Sequence, residues 1–117
     1  MRIFIYDDDP ETLDSLVTYL SCENNELYPF VNLSKAIKFA RQTDNSIDVA
    51  IIDGGFDSGE AGVEISVILR NNNPDARIII LTGFSEPSVM DILEKYNIEL
   101  YEKPQDVSRL IDEFGCI

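Results

Sequence analysis

The chain has 117 residues, the size of one ordinary domain, and its 44% hydrophobic and 26% charged residues describe a globular rather than a disordered chain. Nine basic residues against 22 acidic ones give a formal net charge of -13, so no nucleic acid and no membrane is expected as a partner, because phosphate-rich surfaces are bound through Lys and Arg. His is absent, which excludes Ser-His hydrolysis and His-ligated metals.

The first apolar run, Ile3-Tyr6, leads into Asp7-Asp8-Asp9-Pro10, an acidic cap with proline at the first helical position. Leu13, Leu16, Val17 and Leu20 then recur at helical spacing. A second run, Leu27-Val31, contains Pro29, which removes a ladder donor and places this strand at a sheet edge. Asn32 can cap the next helix, whose stripe is Leu33, Ala36, Ile37 and Ala40. The third run, Val49-Ile52, ends at Asp53, and its helix carries Ala61, Ile65, Ile68 and Leu69. The fourth, Ile78-Leu81, ends at Thr82; Ser85 can cap a helix with Val89, Ile92, Leu93 and Tyr96. The fifth and weakest, Ile98-Tyr101, ends near Lys103 and precedes Val107, Leu110, Ile111 and Phe114.

Strict alternation of strand and helix predicts parallel strands joined by right-handed crossovers. The fold class is α/β: a single doubly wound (βα)5 domain over residues 1–117, its five-stranded parallel sheet in the flavodoxin-like order 2-1-3-4-5. No output domain is expected. The chain has no membrane-length apolar run and no signal-peptide pattern, and Cys22 and Cys116 make no CxxC, so the two are expected to be reduced thiols of a cytoplasmic protein.

In that strand order the carboxyl ends share one edge, and the order reverses between the first and third strands. Asp7, Asp8 and Asp53 are therefore expected to converge. Carboxylates crowded together must either protonate or recruit a cation. Oxygen donors without His or Cys suit a hard ion, and a small site completed by water and phosphate oxygens suits Mg2+. With Lys103 and Thr82 on the same edge, such a site can hold a transferring phosphoryl group, one carboxylate acting as nucleophile to form an acyl phosphate.

These motifs carry a resemblance. Ile5-Tyr6-Asp7-Asp8-Asp9-Pro10, Asp48-Val49-Ala50-Ile51-Ile52-Asp53, Ile80-Leu81-Thr82-Gly83 and Glu102-Lys103-Pro104, in that order, resemble the four signatures of a response-regulator receiver domain of two-component signalling. The resemblance implies that Asp53 is the phosphoacceptor. It implies that Asp8 and Asp53 ligate Mg2+ directly, Asp7 through a bound water, and the Gly55 backbone carbonyl as the remaining protein ligand. Lys103 would contact the phosphoryl group and Thr82 would hydrogen-bond it, moving toward it on activation; the Lys103-Pro104 bond is often cis in this family. The implied partners are a sensor histidine kinase or phosphotransfer protein and a downstream protein target. The output surface would be the face built from the fourth helix, fifth strand and fifth helix, with a homodimer through it as a further expectation. The chain would not be an enzyme beyond its own phosphorylation and self-dephosphorylation.

The sequence departs from the family in three places. Asp57 stands where a proline is usual, and Gly62 matches the family glycine only with one residue inserted. Leu100 occupies the switch position that is usually aromatic, with Tyr101 one residue later. Gly55 and Phe84 occupy positions that influence self-dephosphorylation and cannot position water, which predicts a slowly hydrolysed phosphoryl group. An alternative is a degenerate receiver acting as a phosphorylation-independent interaction module. A haloacid-dehalogenase-type phosphatase is disfavoured by Glu11 at the fifth motif position, and a flavin site by the acidic loop that would repel its phosphate.

Overall fold

The computed structural model describes residues 1–54, 59–82, 87–102 and 106–115, with residues 59, 60 and 87–89 described by their backbone alone. Strands and helices alternate throughout: β1 (Arg2–Tyr6), α1 (Pro10–Leu20), β2 (Glu26–Phe30), α2 (Leu33–Gln42), β3 (Val49–Asp53), α3 (Gly59–Asn72), β4 (Arg77–Thr82), α4 (Pro87–Lys95), β5 (Glu99–Glu102) and α5 (Val107–Phe114). The five strands are parallel in the order β2-β1-β3-β4-β5. Pro29 lies in the edge strand β2, where its missing N–H costs no ladder bond on the open side.

Successive strand residues face opposite sides of the sheet, and this alternation divides the core in two. Phe4, Tyr6, Ala50, Ile52, Ile78 and Ile80 face α2, α3 and α4, where Ala36, Ala40, Ile65, Leu69 and Leu93 close over them. Ile3, Ile5, Val49, Ile51, Ile79 and Leu81 face α1 and α5, against Leu13, Leu16, Leu20, Leu110 and Phe114. Both faces of β1, β3 and β4 are covered, which is why these runs read as nearly unbroken apolar sequence.

The caps form as the residue types require. Asp9 accepts from the Glu11 N–H ahead of Pro10, and Asn32 Oδ1 accepts from the Lys35 N–H. Ser85 lies outside the described residues. One helical stripe differs from expectation: Leu93 is buried, but Ile92 is 40% exposed. The two residues lie about 100° apart around a helix, and α4 meets the sheet on the narrow side that carries Leu93.

At the amino ends of the strands, Asn73 is fully buried and fully bonded. Its Oδ1 accepts from the Ser46 and Ile47 N–H groups, and its Nδ2 donates to Thr43 Oγ1 and the Leu69 carbonyl. Nearby, the Arg70 guanidinium donates to the carbonyls of Tyr96, Asn97, Pro74 and Ala76, tying α3 to the end of α4.

The expectation of two reduced thiols is overturned: Cys22 is disulfide-bonded. The last turns of α1 and α5 lie side by side, and Asn25 Nδ2 donates to both the Leu20 and the Phe114 carbonyl, at 2.9 and 3.0 Å.

Candidate functional site

β1 and β3 are hydrogen-bonded neighbours, with Tyr6 in register with Ile52. Asp7 and Asp53 therefore emerge side by side where the crossovers diverge to opposite faces of the sheet. Carboxylate oxygens of Asp7, Asp8 and Asp53 all lie within 4.8 Å of one another. Asp7 and Asp53 are buried and Asp8 is exposed, so the cluster has a closed floor and an open rim. Asp7 is fixed by its backbone N–H donating to the Phe30 carbonyl at 3.1 Å, while its Oδ1 accepts from the Asp9 N–H at 2.9 Å. Asp9 is occupied in capping α1, and its Oδ2 also accepts from the Thr12 hydroxyl. The three consecutive aspartates thus divide: two line the cluster and one begins the helix.

The negative field is felt inside the protein. Tyr6, at the last position of β1, has its phenol raised above the ordinary value of 10.0, by burial first and then by the charges of Asp8, Asp53 and Asp7. Only oxygen donors surround this point among the described residues, which is the chemistry of a hard divalent cation rather than of zinc or copper. Asp7, Asp8 and Asp53 fit such an ion.

On the adjacent strand, Asp53 is in register with Leu81, and Thr82 follows. Thr82 is buried, and its hydroxyl donates to the Gly54 carbonyl at 3.0 Å. The Gly54 N–H in turn donates to the Leu81 carbonyl at 3.0 Å. These two bonds extend the β3–β4 ladder past the end of β3 and hold Gly54 against β4. Two glycines make this approach feasible. A Cβ on Gly54 would stand 2.5 Å from Ile80 Cγ2, and one on Gly62 would stand 2.9 Å from the Asp53 carbonyl oxygen. The importance of Gly54 was not foreseen; a glycine directly after a strand-end acid is the available signal.

Leu100 and Tyr101 point in opposite directions. Leu100 packs with Ile80, on the sheet face that Thr82 continues, whereas Tyr101 is buried on the α1/α5 face. There the Tyr101 hydroxyl accepts from Arg77 Nη2 at 2.9 Å and donates to Glu113 Oε1 at 2.8 Å, with the Arg109 guanidinium over its ring. Tyr101 is a strut between β4 and α5, on the far side of the sheet from Thr82.

Of the remaining expected site residues, Gly55, Asp57, Phe84, Lys103 and Pro104 lie outside the described residues. No helix of the described residues is long and apolar enough to cross a membrane.

Residues 3–114 match the family model described as the response regulator receiver domain. A response regulator receiver domain protein from Clostridium thermocellum superposes with a TM-score of 0.75 at 26% identity, covering 96% of this chain and 91% of that one. A response regulator protein from Burkholderia pseudomallei, solved with a phosphorylated aspartic acid, calcium ion and citrate, superposes with a TM-score of 0.77 at 20% identity, covering 97% of this chain and 66% of that one. The transcriptional regulatory protein ComA of Bacillus subtilis (strain 168) is 26% identical over 84 residues, which is 71% of this chain and 39% of ComA. The chain thus aligns with well under half the length of that curated relative.

Proposed function

Given that this chain belongs to the response regulator receiver domain family, we propose that it takes a phosphoryl group onto Asp53 and that the aspartyl phosphate switches a protein-interaction surface. The observation that carries the reading is the meeting of Asp7, Asp8 and Asp53 within 4.8 Å at the strand ends, beside the buried Thr82 hydroxyl.

Asp53 is the nucleophile: a carboxylate oxygen attacks phosphorus in line, and the bond from phosphorus to the donor, a phosphohistidine imidazole or a small acyl phosphate, breaks. Asp7, Asp8, Asp53 and the Gly55 carbonyl would hold Mg2+, which when bound would neutralise the charge of the phosphoryl oxygens. Lys103 supplies a second positive charge to those oxygens. Thr82 exchanges its bond to the Gly54 carbonyl for one to the phosphoryl group. This exchange is the local event that biases the two-state equilibrium of the domain. With Leu100 on the Thr82 face, an aliphatic side chain follows that motion in place of an aromatic one.

The partners are a histidine kinase or phosphotransfer protein and a downstream protein target, in the cytoplasm. Homodimerisation through the α4-β5-α5 face is one way the switch is read out.

The test is intact mass after incubation with acetyl phosphate and MgCl2. The parent chain gains one phosphoryl group; Asp53→Asn gains none, and omission of the metal abolishes the gain. If the parent chain stays unmodified, the domain is instead a phosphorylation-independent interaction module, a reading that the missing switch aromatic at Leu100 favours.

A further inference from the structure

We propose that the exposed face of α2 docks an acidic helix of a partner protein, with Lys35, Lys38 and Arg41 pairing with its carboxylates and Ile37 receiving an apolar side chain. The first observation is charge. α2 carries these three cations and no acid, in a chain whose formal net charge is -13. Each of the other helices contains Asp or Glu. Lys35, Lys38 and Arg41 are all exposed.

The second observation is what the cations do elsewhere. Arg2 pairs with Glu26, Arg77 with Glu99 and Glu113, and Arg109 with Glu113. Arg70 donates to backbone carbonyls, and the Lys95 ammonium stands 5.5 Å from the centre of the Tyr96 ring. Among the described residues, no side chain or carbonyl partners the charged groups of Lys35, Lys38 or Arg41. Helix stability does not account for them. Only Arg41, in the last turn, suits the helix dipole. Lys35 lies in the first turn, where the dipole disfavours a cation, and the pairs Lys35–Lys38 and Lys38–Arg41 are like charges one turn apart.

The face also has shape. Ser34, Ile37, Lys38, Arg41 and Gln42 line an open groove of about 500 Å³. Ile37 is half-buried, so the groove offers an apolar spot beside its two cations. Lys35 and Arg41 stand about 9 Å apart along the helix axis, the spacing at which acids at three- and four-residue steps recur on a second helix. A polyphosphate chain or a membrane would extend past the three cations onto the acidic surface around them; a helix of a few turns would not. An added strand is disfavoured by the neighbouring sheet edge. Glu26 donates its N–H to the Met1 carbonyl, and the Phe30 carbonyl accepts from Asp7. Leu27 and Pro29 therefore direct their backbone groups outward, and Pro29 has no N–H to give. α2 lies along this β2 edge, with the Phe39 ring against Tyr28 and Phe30, at the opposite side of the sheet from β5. A partner held here leaves the α4-β5-α5 face open.

The test uses the full chain and a capped Ala-based peptide of about 15 residues, long enough to populate a helix. It carries Glu at three- and four-residue steps along one face with Leu between them; its counterpart has Gln for every Glu. Anisotropy of the labelled Glu peptide should report binding that weakens as NaCl is added. Lys38→Glu with Arg41→Glu should weaken it roughly tenfold or more, whereas Lys38→Arg with Arg41→Lys should retain it. Amide shifts of the parent chain on adding the Glu peptide should be largest over Leu33–Gln42. Equal binding of the Gln peptide, unchanged binding by the charge-reversed chain, or shifts centred on another element would overturn the proposal. So would tighter binding of an oligo-dT strand or of phosphatidylserine vesicles than of the Glu peptide. No readout uses Mg2+ or a phosphoryl donor, so failure here is distinct from failure of phosphoryl uptake at Asp53.

Discussion

At the scale of single residues, Gly62 is constrained by the backbone it faces. A Cβ at that position would approach the Asp53 carbonyl oxygen to 2.9 Å and the Gly54 Cα to 3.6 Å. Backbone cannot rotate out of the way, so α3 would have to retreat from the end of β3. Gly62→Ala is expected to cost about 1–3 kcal/mol, seen as a lower urea midpoint at unchanged slope, and to slow phosphoryl uptake at Asp53. Tyr101 gives the contrasting case. Its hydroxyl is bonded to Arg77 and Glu113 on the face away from Thr82. Tyr101→Phe should lose about 1–2 kcal/mol of stability and leave the rate and extent of phosphorylation unchanged; a marked loss of phosphoryl uptake would make Tyr101 part of the switch after all. The sequence held this distinction in its two-residue period. Tyr101 is one position from Leu100, and one position along a strand is the other face of the sheet.

At the scale of elements, α5 is joined to β4 and β5 by charge. Arg77 donates to Glu99 through Nε at 2.7 Å and pairs with Glu113, while Arg109 reaches Glu113 from one turn away on α5. Burial is the largest single influence on the Glu113 carboxyl and opposes its ionisation. The Tyr101 hydrogen bond, the Arg77 hydrogen bond and the charges of Arg77 and Arg109 together outweigh it, leaving Glu113 below its ordinary value of 4.5. A carboxyl with a depressed folded-state pKa contributes stability that is complete above its unfolded value and is lost as pH falls through the folded one. The stability difference between the parent chain and Glu113→Gln should therefore be constant above pH 4.5 and shrink on acidification below it. Chemical denaturation at a series of acidic pH values measures this, and a difference that persists unchanged at the lowest pH would remove Glu113 from the account. Elements were the most legible level of the sequence. Each apolar run became a strand within a residue or so at its ends, most plainly in β1, β3 and β4, where coverage on both sides leaves almost no polar position to blur them. What escaped was tertiary. Ile92 shares a stripe with Leu93 in sequence but not a neighbour in space. Asn73 satisfies four groups from three segments without belonging to any motif. The Asn25 bond to the Phe114 carbonyl joins residues almost a whole chain apart.

At the scale of the molecule, a net charge of -13 repels itself throughout, and the strongest local concentration described is the cluster of Asp7, Asp8 and Asp53. That cluster was legible in the sequence, since a parallel sheet in this order brings its strand ends together. The acids on the first and third strands then had to meet. Two effects of added salt can be separated on this basis. NaCl screens the general repulsion and should raise the unfolding temperature gradually, because exposed charges interact over about one Debye length, roughly 10 Å at 0.1 M. A magnesium salt at equal ionic strength should raise it further, because an ion bound only by the folded chain stabilises by mass action, about 2.7 kcal/mol at a hundredfold excess over its dissociation constant. For a domain of this size, that extra stabilisation corresponds to an upward shift of roughly 10 °C. The excess over NaCl should disappear in Asp8→Asn, whose carboxylate lies on the open rim of the cluster. If magnesium and sodium gave the same curve at matched ionic strength, the three aspartates would be a repulsive cluster with no cation site, and Mg2+-dependent phosphorylation of Asp53 would fall with it.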